Sequence, residues 1–223
     1  MNSTTWDRPD VVAGFASSSP NAVLMAWVRK RSGGLPLTIV DIGCGAGRNS
    51  IPLAQDGHRI KGVDRSEPMI EAARRRAMDE GVGERCEFHV TTMDRLLIPD
   101  QCADIVIAHG IWNLSTTDQE LKNAIQEAAR IAKPGSGLFV FTFSLDTLAD
   151  DLQPTPGQIY VYHQFSGSFQ VFLSEAELDQ LLDNAGFDRE STKPLTRYNY
   201  QGSPAPGTTS NRPVIWEGTW VRR

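Results

Sequence analysis

Apolar residues along this chain follow two alternating rhythms. Short apolar runs at 37–42, 60–64, 87–90, 104–108 and 138–143 have the length and the flanking turns of buried strands. Stretches of helical period lie between them. Residues 48–56 make one. A second opens on Ser66-Glu67-Pro68, carries Met69, Ile70, Ala73 and Ala77 on one face, and stops at Gly81. Thr117 with Glu120, and Ser174 with Glu177, have capping-box spacing. The second box leads into a stripe of Leu178, Leu181, Leu182 and Ala185, with Gly186 as the stop. Near the start, Ser19 as cap and Pro20 at the first helical position predict a helix whose apolar residues include Val23, Leu24, Trp27 and Val28.

Strand alternating with helix predicts a doubly wound α/β fold, a mostly parallel sheet covered on both faces. Lys133-Pro134-Gly135-Ser136-Gly137 reads as a turn. Two regions break the rhythm. Residues 146–172 concentrate Tyr160, Tyr162, His163, Phe165, Phe169 and Phe172 without a helical period, and are expected to be a lid insert. Residues 202–213 are a loop by composition, and 190–198 with 214–221 predict an antiparallel hairpin at the sheet edge. No internal repeat is present, so residues 1–223 are expected to form one domain, with 1–34 as an N-terminal helical cap.

Composition narrows the function. The net charge is −5, and the basic cluster Arg74-Arg75-Arg76 is flanked by Glu71, Asp79 and Glu80. A solvated helix face explains it, and nucleic acid is not the expected partner. Cys44, Cys86 and Cys102 lack the spacing of a disulfide framework or a zinc site, so no metal is expected. Neither a leader nor a membrane span is expected, which places the chain in the cytoplasm.

The chemistry concentrates in Asp41-Ile42-Gly43-Cys44-Gly45-Ala46-Gly47, between a strand and a helix. Glycines there permit positive φ and close approach of a ligand, and helix-start amides can hold an anion. The dinucleotide fingerprint GxGxxG would need glycine at 48, where Arg48 stands. The loop is GxGxG instead. A second acid, Asp64, ends the next strand, where a carboxylate can accept two nucleoside hydroxyls.

Over residues 38–144 these motifs resemble the class I S-adenosylmethionine-dependent methyltransferases. The resemblance implies a Rossmann-like, seven-stranded sheet with an antiparallel C-terminal strand. It implies S-adenosylmethionine as cofactor, with Asp41, Gly43, Cys44, Gly45, Gly47 and Asn49 around its methionine part. Asp64 and Arg65 would then lie at the ribose. The family often has an acid after the third strand for the adenine amino group; here that place falls on Thr92, followed by Met93, with Asp94 two residues late. Thr92 and a shifted Asp94 are both candidates. Gly47-Arg48-Asn49-Ser50 looks like the small thiol and tellurite-resistance members.

The acceptor side begins at His109-Gly110-Ile111-Trp112-Asn113-Leu114, after the fourth strand. His109 is a candidate base and, through its carbonyl, a candidate cofactor contact. The Asn/Asp-Pro-Pro-aromatic motif of amino-methylating DNA enzymes is absent, as is the Pro-Cys nucleophile of cytosine-5 enzymes. A small-molecule nucleophile (S, O or N) remains, attacking in line, in a monomer or homodimer. Trp112, Tyr160, Tyr162 and His163 are the candidate acceptor pocket, with His163 a second candidate base. The alternative pocket lies beside His109, Trp6 and Phe15. Aminopropyl transfer and a non-catalytic binding role are the competing functions.

Overall fold

The computed structural model describes residues 5–223. Two helices come first, α1 (Pro9–Ser17) and α2 (Ala22–Ser32), meeting at a bend of 51°. There follow β1 (Thr38–Ile42), α3 (Ser50–Gln55), β2 (Arg59–Asp64), α4 (Glu67–Asp79), β3 (Cys86–Val90) and β4 (Ala103–His109). Next are α5 (Asp118–Ile131), β5 (Ala132–Phe143), β6 (Val161–Tyr162), β7 (Gln170–Val171) and α6 (Glu175–Asn184). The chain ends in β8 (Phe187–Arg189), β9 (Thr196–Tyr198) and β10 (Ile215–Arg222).

The main sheet runs β3-β2-β1-β4-β5-β10-β8, parallel through β5 and antiparallel at β10. Alternate residues of each strand face opposite layers. Ile39, Ile60, Ile105, Ile107 and Phe139 pack with α2, α3 and α4. Val40, Val63, Val106, Ala108, Leu138 and Val140 pack with α5 and α6. This is the expected doubly wound sandwich. Eight strands build it rather than seven, because β8 and β9 share one edge of β10, pairing at Trp220–Arg222 and Ile215–Glu217 respectively. Leu195 presses on Gly218 between them, where an added Cβ would lie 2.4 Å from its side chain, so 190–198 bows out instead of forming one strand.

Three other expectations shift. Asn21, not Ser19, caps α2: its Oδ1 accepts from Leu24 N at 2.9 Å. The 133–137 turn is an excursion inside β5, where the pairing jumps from Ala103–Ala132 to Ile105–Gly137. Helix α1 lies within the expected helical cap but its own start was not read, although Pro9 at its first turn and Val11, Val12, Phe15 and Ala16 on one face were its signals. Those apolar residues pack against Ala46, Met69 and Ala72. No single helix among the described residues is long and apolar enough to cross a membrane.

Candidate active site

Strand order reverses between β1 and β4, and ligands in such sheets bind outside the carboxyl ends of the strands at that point. Here the glycine loop leaves β1. Gly43 N and Cys44 N donate to Val63 O at 2.8 and 3.0 Å, Gly45 N to Asp64 Oδ2 at 3.0 Å, and Gly47 N to Cys44 O at 3.0 Å. The expectation of open amides for an anion is therefore corrected at these four residues: three of them bond to the end of β2 and one within the loop. What it offers a ligand is a surface without side chains. Gly43 makes that surface close-fitting, since at φ +73° an added Cβ would lie 2.7 Å from Ile111.

A cleft opens along this loop in two adjoining hollows. Gly43, Asp64, Arg65, Ile111 and Leu114 line both. Ile42, Val63, Thr91, Thr92, Met93 and Glu120 complete the first. Trp6, Phe15, Gly45, Met69, His109 and Gly110 complete the second. Asp64 stands at the join. Burial pushes its carboxyl up, against the amides of Ser66 and Gly45, which hold it down. Two of its roughly four acceptor positions are filled by those amides, and the rest remain for a ligand.

Several expected cofactor residues support the loop rather than line the cleft. Asp41 is 2% exposed and accepts from Ser50 Oγ at 2.6 Å. Desolvation pushes its carboxyl up to about 6. Asn49 Oδ1 accepts from Asn21 N at 3.0 Å and so ties α3 to α2. The Cys44 side chain is buried in the core with Phe88, and burial pushes its thiol up. Asp94 lies outside the cleft lining, whereas Thr92 and Met93 belong to it; Thr91 was missed, one residue before them.

The acceptor residues divide. His109 faces the second hollow, stacked on Phe141 with ring centres 4.2 Å apart. Burial and the Arg48 guanidinium hold its pKa down to about 3, which opposes service as a base at neutral pH. The other proposed pocket residues do not line either hollow. Trp112 is 1% exposed within the α5–α6 core, and its indole N–H has no hydrogen-bond partner there. Tyr162 is buried against Leu148 and Phe172, because Val161 and Val171 of the β6–β7 hairpin draw the insert onto the α5–α6 layer. Tyr160 N binds Asp118 Oδ1 at the start of α5, and His163 is exposed, edge-on to Phe169. Trp6 and Phe15 line the second hollow, and no residue of 146–172 lines either. Sequence reasoning missed Asn21, Glu217 and Tyr198, which gather around His109 only through the fold. Among the described residues no cluster of His, Cys, Asp and Glu is arranged to hold a metal ion.

A model of the methyltransferase domain family matches residues 39–135. The chain is 30% identical over 139 residues to the cypemycin N-terminal methyltransferase of a Streptomyces species, covering 61% of this chain and 54% of that protein. It therefore spans about half the length of that relative. It is 26% identical over 180 residues to the ubiquinone/menaquinone biosynthesis C-methyltransferase UbiE of Rickettsia massiliae, covering 71% of each. A crystal structure of a SAM-dependent methyltransferase from Methanosarcina mazei superposes with a TM-score of 0.67 at 19% identity, covering 92% of this chain and 99% of that one. With a GxGxG loop after β1, an acid ending β2 and an antiparallel β10, the chain is similar over residues 39–135 to the methyltransferase domain family and shares the fold of S-adenosylmethionine-dependent methyltransferases.

Proposed function

We propose that this chain is a methyltransferase that uses S-adenosylmethionine to methylate a small molecule. The observation that carries the reading is Asp64, a carboxylate at the end of β2 that faces both hollows of a cleft floored by glycine. The residues fit the cofactor. Asp64 accepts hydrogen bonds from the ribose hydroxyls, with Arg65 beside it. Gly43 and Gly45 admit the methionine part, and Thr92 and Met93 border the adenine. When bound, the cofactor supplies an activated methyl group to a nucleophile in line with the sulfur. The chain's own work is alignment, which lowers such barriers by roughly 7–11 kcal/mol in favourable cases. Trp6 and Phe15 exclude water from the cleft.

The acceptor atom is S, O or N in this reading, and the C-methyltransferase relative adds carbon. The full reading is a single domain over 1–223 acting as a cytoplasmic monomer or homodimer, without nucleic-acid or membrane partners. Residues 1–34 cap it. The acidic net charge supports the exclusion of nucleic acid.

Calorimetry with S-adenosylhomocysteine, followed by transfer of isotope-labelled methyl from S-adenosylmethionine into a metabolite extract, tests the reading. Roughly micromolar binding and a labelled small product are expected. Absence of binding overturns the cofactor assignment, while binding without any labelled product overturns methyl transfer.

A further inference from the structure

The first hollow has apolar walls and few polar groups. Ile42, Val63, Met93, Ile111 and Leu114 line it, which suits the faces of a flat ring. Asp64 and Arg65 stand where it joins the second hollow, so they meet a different part of any ligand that spans both. Three polar side chains are left at its own end. Thr91 spends its hydroxyl hydrogen on Arg95 O at 2.7 Å. Thr92 is exposed, so its hydroxyl keeps access to water. Glu120 is the third, and it is half-buried.

Glu120 is held at both ends. Its amide donates to Thr117 Oγ1 at 3.1 Å, in the cap of α5. Its Oε2 accepts from Thr116 N at 2.7 Å and from Thr116 Oγ1 at 2.9 Å. Among the described residues Oε1 receives no hydrogen bond. The side chain is thus fixed before any ligand arrives, with one acceptor oxygen to spare. Preorganised groups of this kind lose little freedom on binding. An ionised carboxylate only accepts hydrogen bonds, so it recognises donors alone, whereas a threonine hydroxyl serves donors and acceptors alike.

With Asp64 at the ribose, the first hollow receives the base that the ribose carries; this rests on the methyltransferase reading. We propose that Glu120 accepts a hydrogen bond from the exocyclic amino group of adenine and makes the site selective for an aminopurine over an oxopurine. Hypoxanthine carries a keto oxygen at that place. Two acceptors would then face each other, and neither could satisfy the other. Thr92 does not discriminate in this way, because its hydroxyl can turn to donate. Glu120 is therefore a specificity-determining residue for the cofactor, and Thr116 is a positioning residue that fixes its carboxylate.

S-adenosylhomocysteine and its deaminated analogue S-inosylhomocysteine are titrated by calorimetry into the full chain and into Glu120→Ala, Glu120→Gln and Thr92→Val. The parent should bind the adenosyl compound at least ~10-fold more tightly. Glu120→Ala should bring the two affinities within about 3-fold of each other, chiefly by weakening the adenosyl compound. Glu120→Gln should narrow the gap too, because its amide can present an N–H to the keto oxygen. It also retains an oxygen for Thr116, so it decides if the alanine variant does not fold. Thr92→Val should keep the preference. A preference that survives both Glu120 variants, or an equal loss for both compounds in Glu120→Ala, overturns the proposal. So does a preference that only Thr92→Val removes, which would pass the amino group to threonine. Equal binding of the two compounds to the parent overturns the proposal alone, while binding of neither overturns the cofactor reading along with it.

Discussion

Asp64 and Gly45 are joined by a hydrogen bond of 3.0 Å, so the carboxylate that we propose for the ribose also sets the shape of the glycine loop. Asp64→Ala removes this bond and the one to Ser66 N. Hydrogen bonds to a charged group are worth roughly 1.5–3 kcal/mol each, so affinity for S-adenosylhomocysteine should fall by at least ~10-fold. Calorimetry measures it. Unchanged affinity would remove Asp64 from the cofactor site. Thermal unfolding should show a loss of stability as well, because the loop amide at Gly45 loses its acceptor.

Gly43 and Ile111 are the tightest meeting point in the cleft. Gly43→Ala forces a Cβ into a space 2.7 Å from Ile111 at φ +73°. Overpacking of this kind costs about 1–3 kcal/mol, with a further cost for a side chain at positive φ. Adding Ile111→Ala should recover the steric part, leaving the backbone part. A denaturant melt of the single and double variants decides, and a double variant no more stable than the single would assign the whole penalty to φ.

Asp41 makes stability depend on pH. Its folded pKa, about 6, lies above its ordinary 3.8 because burial opposes ionisation. The carboxyl group therefore favours the fold fully below the unfolded value, and this contribution is lost as pH rises through about 6. A shift of that size corresponds to at most about 3 kcal/mol. Asp41→Asn keeps an oxygen for Ser50 and removes the titration. Its stability relative to the parent should rise between acid and neutral pH. A pH-independent difference in Tm between the two proteins would show that Asp41 is not desolvated as described.

Asn21 has two separable roles, as cap of α2 and as bridge between Glu217 and His109. Asn21→Ser keeps a capping oxygen but is too short for the bridge, and Asn21→Ala loses both. Loss of a cap costs typically ~1 kcal/mol, and an unpartnered buried polar group roughly 1–3 kcal/mol. The order of stability should be parent, serine variant, alanine variant, by chemical denaturation. A serine variant as stable as the parent would leave the bridge without energetic weight.

The parts of the molecule that were legible in the sequence are those governed by local rules. Strand runs, the N-caps at Thr117 and Ser174 (only the second closing as a capping box, since Glu120 accepts from Thr116 instead), and the acids at Asp41 and Asp64 all follow from periodicity or short motifs. The acceptor side was not legible in the same way. Tyr160, Tyr162 and His163 are aromatic-rich and adjacent in sequence, yet Val161 and Val171 decide where they go by packing on the α5–α6 layer. The row of His109, Phe141 and Glu217 unites three strands separated by many residues, and only register brings them level. Asn21 joins that row because its cap geometry aims the amide at the sheet, which no spacing rule encodes.

The glycine loop, already bonded to β2 and to itself, has a thermodynamic consequence. Gly43, Cys44, Gly45 and Gly47 have their amides occupied before any ligand arrives. Ordering that loop is thus part of folding, and its conformational entropy is not charged again on association. Ligand entry should leave hydrogen exchange at these amides almost unchanged, and the loop should behave as a rigid mould whose fit, rather than whose closing, selects what lies against it.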